Sequence, residues 1–263
     1  MGLPLIHVDA FTAQPFAGNP AAVCLLDGPR EAEWMQALAA ELNLPETAFV
    51  TAEPDGFGLR WFTPTIEVDL CGHATLATAH VLWQERRLAP EATARFHTRS
   101  GVLTAARRGD WIELDFPAEP AVATEPPPSL AAALGVTAKW AGRNRFDWLV
   151  EVDGAAAVRA LAPDLARLAM VPTRGVIVTA PSDEPGVDFV SRFFAPRAGI
   201  PEDPVTGSAH CCLGPFWAAR LGRTELTGYQ ASRRGGTVRV RLAGDRALLA
   251  GRAVTVFRGA LTA

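Results

Sequence analysis

An internal duplication constrains the fold of this chain more than any other feature. Four matches recur in the same order at separations of 128 to 134 residues: Arg60–Pro64 with Arg192–Pro196, residues 50–52 with 178–180, Asp69 with Asp203, and Trp83 with Trp217. The separation drifts by only a few residues, as loop insertions would cause. We therefore predict two copies of one domain that mixes strands and helices.

Hydrophobic patterning in each half predicts strands wrapped around one apolar helix. The central helices are expected at Ala74–Arg86 and Ser208–Leu221, and both are apolar nearly all round, which is typical of burial inside a layer of strands. The other elements predicted for the first half are a helix at Glu31–Leu42 and strands at Leu5–Thr12, Ala21–Leu26, Ala48–Ala52, Leu59–Phe62, Gly101–Ala106 and Trp111–Phe116.

A proline-rich stretch near the midpoint, Glu119–Pro128, is the best candidate for a linker, because its prolines disfavour both helix and sheet. We therefore expect an N-terminal lobe of residues 1–118 and a C-terminal lobe of residues 119–252. Ligand sites favour domain interfaces, so the active site is expected in the cleft between the lobes.

Composition excludes several classes of protein. The 25 basic and 28 acidic side chains leave a net charge of −3, which argues against a nucleic-acid partner. The sequence has no apolar run of membrane-spanning length and no secretory signal, so we expect a cytoplasmic protein. The four cysteines form no C-x-x-C pair and predict buried, reduced thiols rather than a metal site. The alternative is that Cys71 or Cys211 is reactive.

The entrances of the two central helices, Asp69–Thr75 and Asp203–Ala209, are the most informative segments. Gly72 and Gly207 would let a ligand approach the free backbone N–H groups there, and the helix dipole favours an anion. Two such helix ends could hold a carboxylate and a developing enolate. Ordinary helix capping remains the alternative.

Several side chains have both a functional and a structural interpretation. His73 could shuttle protons or be a hydrogen-bonded structural histidine. Asp203 could be catalytic or a helix cap. Glu46 is flanked by apolar residues, as a general acid or base often is, but its spacing alone favours a solvated loop residue or a cap. Asn19 could offer its amide to a substrate or serve only its Gly-Asn-Pro turn.

Familiar cofactor and nucleophile signatures are missing from the sequence. There is no G-x-G-x-x-G after a strand, no G-x-x-x-x-G-K-[ST], no H-E-x-x-H and no G-x-S-x-G. Nicotinamide, nucleoside triphosphate, zinc and serine-hydrolase chemistry are therefore disfavoured.

The sequence resembles the PhzF-like isomerase family of phenazine biosynthesis, which is similar in fold to diaminopimelate epimerases and proline racemases. The matching segments are Asp9–Thr12 with Phe16–Pro20, then Glu46–Val50, Cys71–Ala77 and Glu202–Ala209, and they spread across most of the chain in family order. The resemblance implies an α+β fold of two pseudo-symmetric diaminopimelate epimerase-like lobes, each a strand barrel around a central helix. It also implies that a C-terminal strand near Ala253–Phe257 returns to the first lobe.

The resemblance further implies an isomerase without a cofactor or metal, often a homodimer. In that family Glu46 would be the general acid/base, with His73 and Asp203 as catalytic partners. Gly72, Gly207 and Ser208 would contact the substrate, and we add Asn19 to these substrate-binding residues. The predicted reaction moves a proton, with a double-bond shift, on a small carboxylate substrate.

Two alternatives to this reaction stay open at this point. The first is a two-base amino-acid racemase or epimerase that uses Cys71 as one thiol. A separation of 134 residues puts its partner position at Val205, and valine cannot move a proton, so this alternative is disfavoured. The second is a non-catalytic protein that binds a small acid.

Overall fold

The chain divides into two units in a computed structural model that describes residues 2–262. The first unit combines the residues up to Asp115 with those from Ala250 onward, and the second runs from Phe116 to Leu249.

The first unit begins with eight strands and two helices. Its elements are β1 (Pro4–Ala10), β2 (Asn19–Leu25), α1 (Ala32–Leu42), β3 (Glu46–Glu53), β4 (Gly56–Phe62), β5 (Glu67–Val68), α2 (Gly72–Gln84), β6 (Ala94–Thr98), β7 (Gly101–Arg108) and β8 (Trp111–Pro117). Strand β2 runs parallel to β3 and β4 runs parallel to β6, whereas the pairs β1–β2, β3–β4, β4–β5, β6–β7 and β7–β8 are antiparallel.

The second unit repeats the strand pairing of the first unit and contains more helices. Its elements are β9 (Val122–Ala123), α3 (Pro128–Leu134), β10 (Trp140–Arg143), β11 (Asp147–Glu151), α4 (Ala155–Ala160), α5 (Leu165–Ala169), β12 (Gly175–Pro181), β13 (Phe189–Ala195), β14 (Ile200–Asp203), α6 (Gly207–Leu221), β15 (Glu225–Gln230), β16 (Gly236–Ala243) and β17 (Arg246–Gly251). Strands β11 and β12 are parallel, as are β13 and β15, whereas β12–β13 and β15–β16 are antiparallel. The six strands β2–β7 thus correspond to β11–β16.

The last strand, β18 (Ala253–Ala260), pairs antiparallel with β1, just as β9 pairs antiparallel with β10 in the second unit. The Pro-rich stretch therefore differs from the predicted linker: it contributes β9, and α3 begins at Pro128. Proline is tolerated at the first position of a helix because that residue needs no N–H donor.

A central helix packs against strands in each unit. Helix α2 contacts β1, β2, β3, β7 and β18, and its side chains are buried on nearly every side. Helix α6 packs against β15 and β16, and its Cys212, Leu213 and Trp217 join a core cluster with Leu149 and Ile177. The predicted α+β fold, with strands around a central helix in each copy, is confirmed.

The predicted helix Ala74–Arg86 lies two residues too far along the chain, because α2 runs from Gly72 to Gln84. Arg86 has a positive φ of 54°, a left-handed conformation that a helix cannot continue through. No helix among residues 2–262 is long and apolar enough to cross a membrane.

Candidate active site

The entrance of α2 brings two of the predicted catalytic side chains into contact. Glu46 is the first residue of β3, opposite Ala21 of the parallel strand β2, and its carboxylate Oε2 lies 3.0 Å from Nε2 of His73. The Glu46 side chain is only 12% exposed, so it is not the solvated loop residue that its spacing alone favours. A carboxylate and an imidazole at this distance can share or exchange a proton.

Cys71 completes this group of side chains. It is the N-cap residue of α2, and its Sγ lies 3.5 Å from Nδ1 of His73. One donor atom from each of Glu46, Cys71 and His73 lies within 4.8 Å of the others. We call these three side chains the entrance cluster.

The surroundings of the entrance cluster raise the pKa of both its histidine and its thiol, with different consequences for their charges. Burial opposes the charged form of His73, but Cys71 and Glu46 outweigh burial and raise the pKa of His73 well above its usual value. Burial, followed by the negative charge of Glu46, raises the pKa of the Cys71 thiol. The negative charge of Glu46 therefore favours the protonated form of the His73 imidazole and opposes ionisation of the Cys71 thiol.

Two further predicted residues lie at the same end of the first unit. Gly72 is the first residue of α2, where backbone N–H groups have no partner within the helix and can bind an anion. Asn19 is fully buried and lies two residues before Ala21 on β2. Since side chains alternate along a strand, Asn19 lies on the same face as Ala21 and its strand partner Glu46.

The entrance of α6 holds the predicted residues of the second unit in a hydrogen-bonded network. Asp203 ends β14, and its Oδ2 accepts a 2.5 Å hydrogen bond from the hydroxyl of Thr206, the N-cap residue of α6. Gln230 donates to the Asp203 carbonyl at 2.7 Å and accepts from the Thr206 N–H at 2.9 Å. Gly207 and Ser208 are the first two residues of α6.

Arg174 and Asp147 are polar residues of this entrance that the sequence analysis missed. The Arg174 guanidinium forms a two-pronged ion pair with Asp147, and its Nη2 donates a 3.0 Å hydrogen bond to Oγ of Ser208. The Asp147 side chain is fully buried, whereas that of Arg174 is 39% exposed. The pair is 27 residues apart and forms no motif, and only the parallel pairing of β11 with β12 signals that the two meet.

The repeated arginine motif allows the two entrances to be aligned by strand register. Arg60 of β4 lies opposite Phe49 of β3, and Arg192 of β13 lies opposite Val178 of β12. Three residues before these partners are Glu46 in β3 and Gly175 in β12. A Cβ atom at Gly175 would collide with the ring of Phe193, so the second unit has no room for a carboxylate there.

The helix starts correct the predicted counterpart of Cys71. Gly72 and Gly207 each begin a central helix and are 135 residues apart, one more than the repeat spacing used to place the partner at Val205. The N-cap residue of α6 is therefore Thr206, and Val205 was the wrong counterpart. The correction still leaves no thiol at this position, because a hydroxyl occupies it.

Comparison with known proteins identifies the family. A family model described as phenazine biosynthesis-like protein (PhzC-PhzF) matches residues 8–259. The chain belongs to the PhzC/PhzF family. An uncharacterized isomerase of Halalkalibacterium halodurans is 52% identical, over 99% of each chain.

Solved structures agree with this family and its fold. The crystal structure of a PhzF-family phenazine biosynthesis protein of Enterococcus faecalis is 41% identical, covers all of both chains and has a TM-score of 0.96. A predicted epimerase of Pseudomonas aeruginosa has a TM-score of 0.76 at 22% identity over 99% of each chain, and it shows the fold alone. The expected diaminopimelate epimerase-like fold is confirmed, and the family and its named isomerases identify the protein as an isomerase-class enzyme.

Proposed function

We propose that this PhzF-family protein is a cofactor-independent isomerase that moves a proton, with a double-bond shift, on a small carboxylate substrate. Glu46 is the general acid/base. The observation that carries the proposal is the 3.0 Å contact between the Glu46 carboxylate and His73 at the entrance of a buried helix. This contact supports the proposal because, with Glu46 as the proton acceptor, a cationic side chain and the backbone N–H groups at the start of α2 would lie beside the base.

The reaction begins when a Glu46 oxygen takes a proton from an acidic carbon. The C–H bond breaks, an O–H bond forms, and the electron pair moves into the substrate as an enolate. The N–H groups at the start of α2 and the His73 imidazolium stabilise this negative charge. The Glu46 O–H then returns the proton to a different carbon of the same substrate. Atoms and electrons balance without any co-reactant.

Asp203, Gly207 and Ser208 have a supporting part in this proposal. The first turn of α6 offers backbone N–H groups and the Ser208 hydroxyl to a negatively charged group, and the Arg174 guanidinium lies beside that hydroxyl. Asp203 fixes this turn through its hydrogen bond from Thr206, and we assign it the orientation of a polar substrate group. The homodimer and the cytoplasmic location stay predictions, and size-exclusion chromatography with light scattering tests the first.

The test is solvent exchange in D2O. Aromatic and amino-acid carboxylates are incubated with the protein, and ¹H NMR follows isomerisation and deuterium incorporation. We expect Glu46→Gln to reduce turnover by about 10³-fold, because the amide cannot accept the proton. Glu53→Gln is the matched control, since Glu53 lies at the other end of β3 and its side chain is 40% exposed.

Undiminished turnover by the Glu46 variant would contradict the assignment of the base. A ligand that binds the wild-type protein without any exchange would favour the small-acid binder instead. The two-thiol racemase has less support, because Thr206 stands where its second thiol would be.

A further inference from the structure

We propose that the entrance cluster of Glu46, Cys71 and His73 binds a zinc ion, and that this ion blocks the enzyme. The inhibition rests on the proposed function, whereas the binding does not. The three side chains supply a carboxylate oxygen, an imidazole nitrogen and a sulfur atom to one point in the first unit. Thiol, imidazole and carboxylate together are typical of zinc sites, whereas Mg²⁺ and Ca²⁺ prefer oxygen ligands.

The distances between the donor atoms suit a single small ion. Nε2 of His73 lies 3.0 Å from Oε2 of Glu46 and 4.0 Å from Sγ of Cys71, and all three atoms lie within 4.8 Å of one another. Zn²⁺ binds sulfur at about 2.3 Å and nitrogen or oxygen at about 2.0–2.2 Å. Ligand atoms around one ion are therefore roughly 3–4 Å apart, so the longer separations in the cluster, which reach up to 4.8 Å, have to shorten when the ion binds.

The backbone already holds the cluster together. Cys71 and His73 flank the first residue of α2, and the Cys71 carbonyl accepts hydrogen bonds from both the hydroxyl and the N–H of Thr75. Glu46 is fixed at the start of β3 by pairing with β2. The backbone of the cluster therefore loses little conformational entropy when an ion binds, which favours binding.

Bound zinc would stop proton transfer for a direct reason. The ion takes the place of protons on the thiol and the imidazole, and it coordinates the carboxylate that has to accept the substrate proton. Three protein ligands leave a fourth position for water. Turnover should therefore fall as zinc binds and return when a chelator removes it.

The experiment measures binding directly on the full-length protein. Equilibrium dialysis against Zn²⁺, with metal analysis by mass spectrometry, gives the stoichiometry, and Co²⁺ reports the sulfur ligand through its thiolate charge-transfer absorption. We expect about one ion per chain and a thiolate band. Cys71→Ser should lose the band and bind Zn²⁺ at least 100-fold more weakly, and Glu46→Gln should weaken binding while keeping the band.

Cys24→Ser is the matched control, because Cys24 is another buried thiol of the same unit and should bind as the wild type does. Circular dichroism checks that each variant is folded. No saturable binding to the wild-type protein, or unchanged binding by both cluster variants, would overturn the proposal. If zinc binds but Glu46→Gln retains turnover, the metal site stands and the proposed base fails. If zinc does not bind but that variant is inactive, the reverse holds.

Discussion

The two helix entrances have the same backbone frame but different chemistry. At the first, Glu46 projects from β3 toward His73 at the start of α2. At the second, the position that corresponds to Glu46 is Gly175, and that of His73 is Ser208. The duplication therefore kept two helix N-termini, and at the first of them a carboxylate contacts a histidine.

A second acid near this entrance, Asp147, is held in a different way from Glu46. Asp147 lies beside Gly175 in the parallel pairing of β11 and β12, and both of its oxygens accept hydrogen bonds from Arg174. Both oxygens of Asp147 are therefore occupied by a guanidinium, which, unlike an imidazole, does not exchange protons near neutral pH. Under the proposed function, the second entrance would serve electrostatic binding and the first would serve proton transfer.

The largest expected effect separates His73 from its counterpart Ser208. His73→Gln can still contact Glu46 but carries no positive charge, so turnover in the deuterium-exchange assay should fall by roughly 10²–10³-fold. Ser208→Ala removes one neutral hydrogen-bonding group and should cost about fivefold. Equal losses would mean that both entrances carry the chemistry, which would contradict the division of roles.

The repeated arginines, Arg192 and Arg60, differ in their contacts and in their burial. Arg192 binds both oxygens of Glu202 and the carbonyls of Val158 and Leu161, and its side chain is 13% exposed. Arg60 binds both oxygens of Glu67, but its side chain is 33% exposed, and Arg99 also contacts Glu67 at 2.7 Å.

Removing these arginines should therefore destabilise the two units unequally. Arg192→Met leaves a partly buried carboxylate and three carbonyls, those of Val158, Arg159 and Leu161, without this donor, so we expect the free energy of unfolding to fall by about 3 kcal/mol. Arg60→Met leaves Glu67 paired with Arg99 and should cost about 1 kcal/mol. Urea unfolding measures both losses, and a larger loss for Arg60→Met would show that the repeat does not predict the energetics.

The sequence predicts the parts of the site that lie in local patterns. Gly72 and Gly207 mark helix starts, and the family resemblance singled out Glu46, whose side chain is buried against His73 and not solvated. Neither Arg174 nor Asp147 was found, because their contact depends on the register between two parallel strands. Register is a long-range property that hydrophobic periodicity does not report.

The prediction of a linker in the Pro-rich stretch was wrong for a related reason. Prolines argue against a central strand or a helix interior, and this reasoning favoured a linker. In the structure, this stretch contributes a two-residue strand that pairs with β10. Pro128 takes the first position of α3, where a proline is tolerated. Such positions are available only once neighbouring elements exist, so composition alone could not predict them.

The buried histidine of α6 predicts a loss of stability in acid. Nδ1 of His210 donates a 2.8 Å hydrogen bond to the Thr206 carbonyl, and burial lowers the pKa of His210 from 6.5 to about 4. Below about pH 6.5 the unfolded chain therefore binds a proton at this histidine. The folded chain binds the same proton only below about pH 4. This one group should cost about 2 kcal/mol between pH 7 and pH 4.5.

His210→Asn keeps a donor for the Thr206 carbonyl but does not titrate, so urea midpoints should fall less steeply with acid. His80 of α2 is the comparison in the first unit: burial, with Arg258 and Arg107 nearby, also lowers the pKa of His80 to about 4. Because His80 is less completely buried, His80→Asn should flatten the profile less. An unchanged slope in His210→Asn would show that His210 is not the group responsible.

The smallest expected effect concerns Cys71. Burial and the charge of Glu46 raise the pKa of this thiol, so it is a poor base at neutral pH, and Cys71→Ser should retain turnover within about threefold.

Thr206→Cys puts a thiol at the corresponding position of α6, with Thr206→Ser as control for the hydroxyl bond to Asp203. If exchange runs through Glu46, the added thiol creates no racemisation of amino acids in D2O. Abolished turnover in Cys71→Ser, or racemisation gained by Thr206→Cys, would instead mean that this entrance retains the chemistry of a two-thiol enzyme.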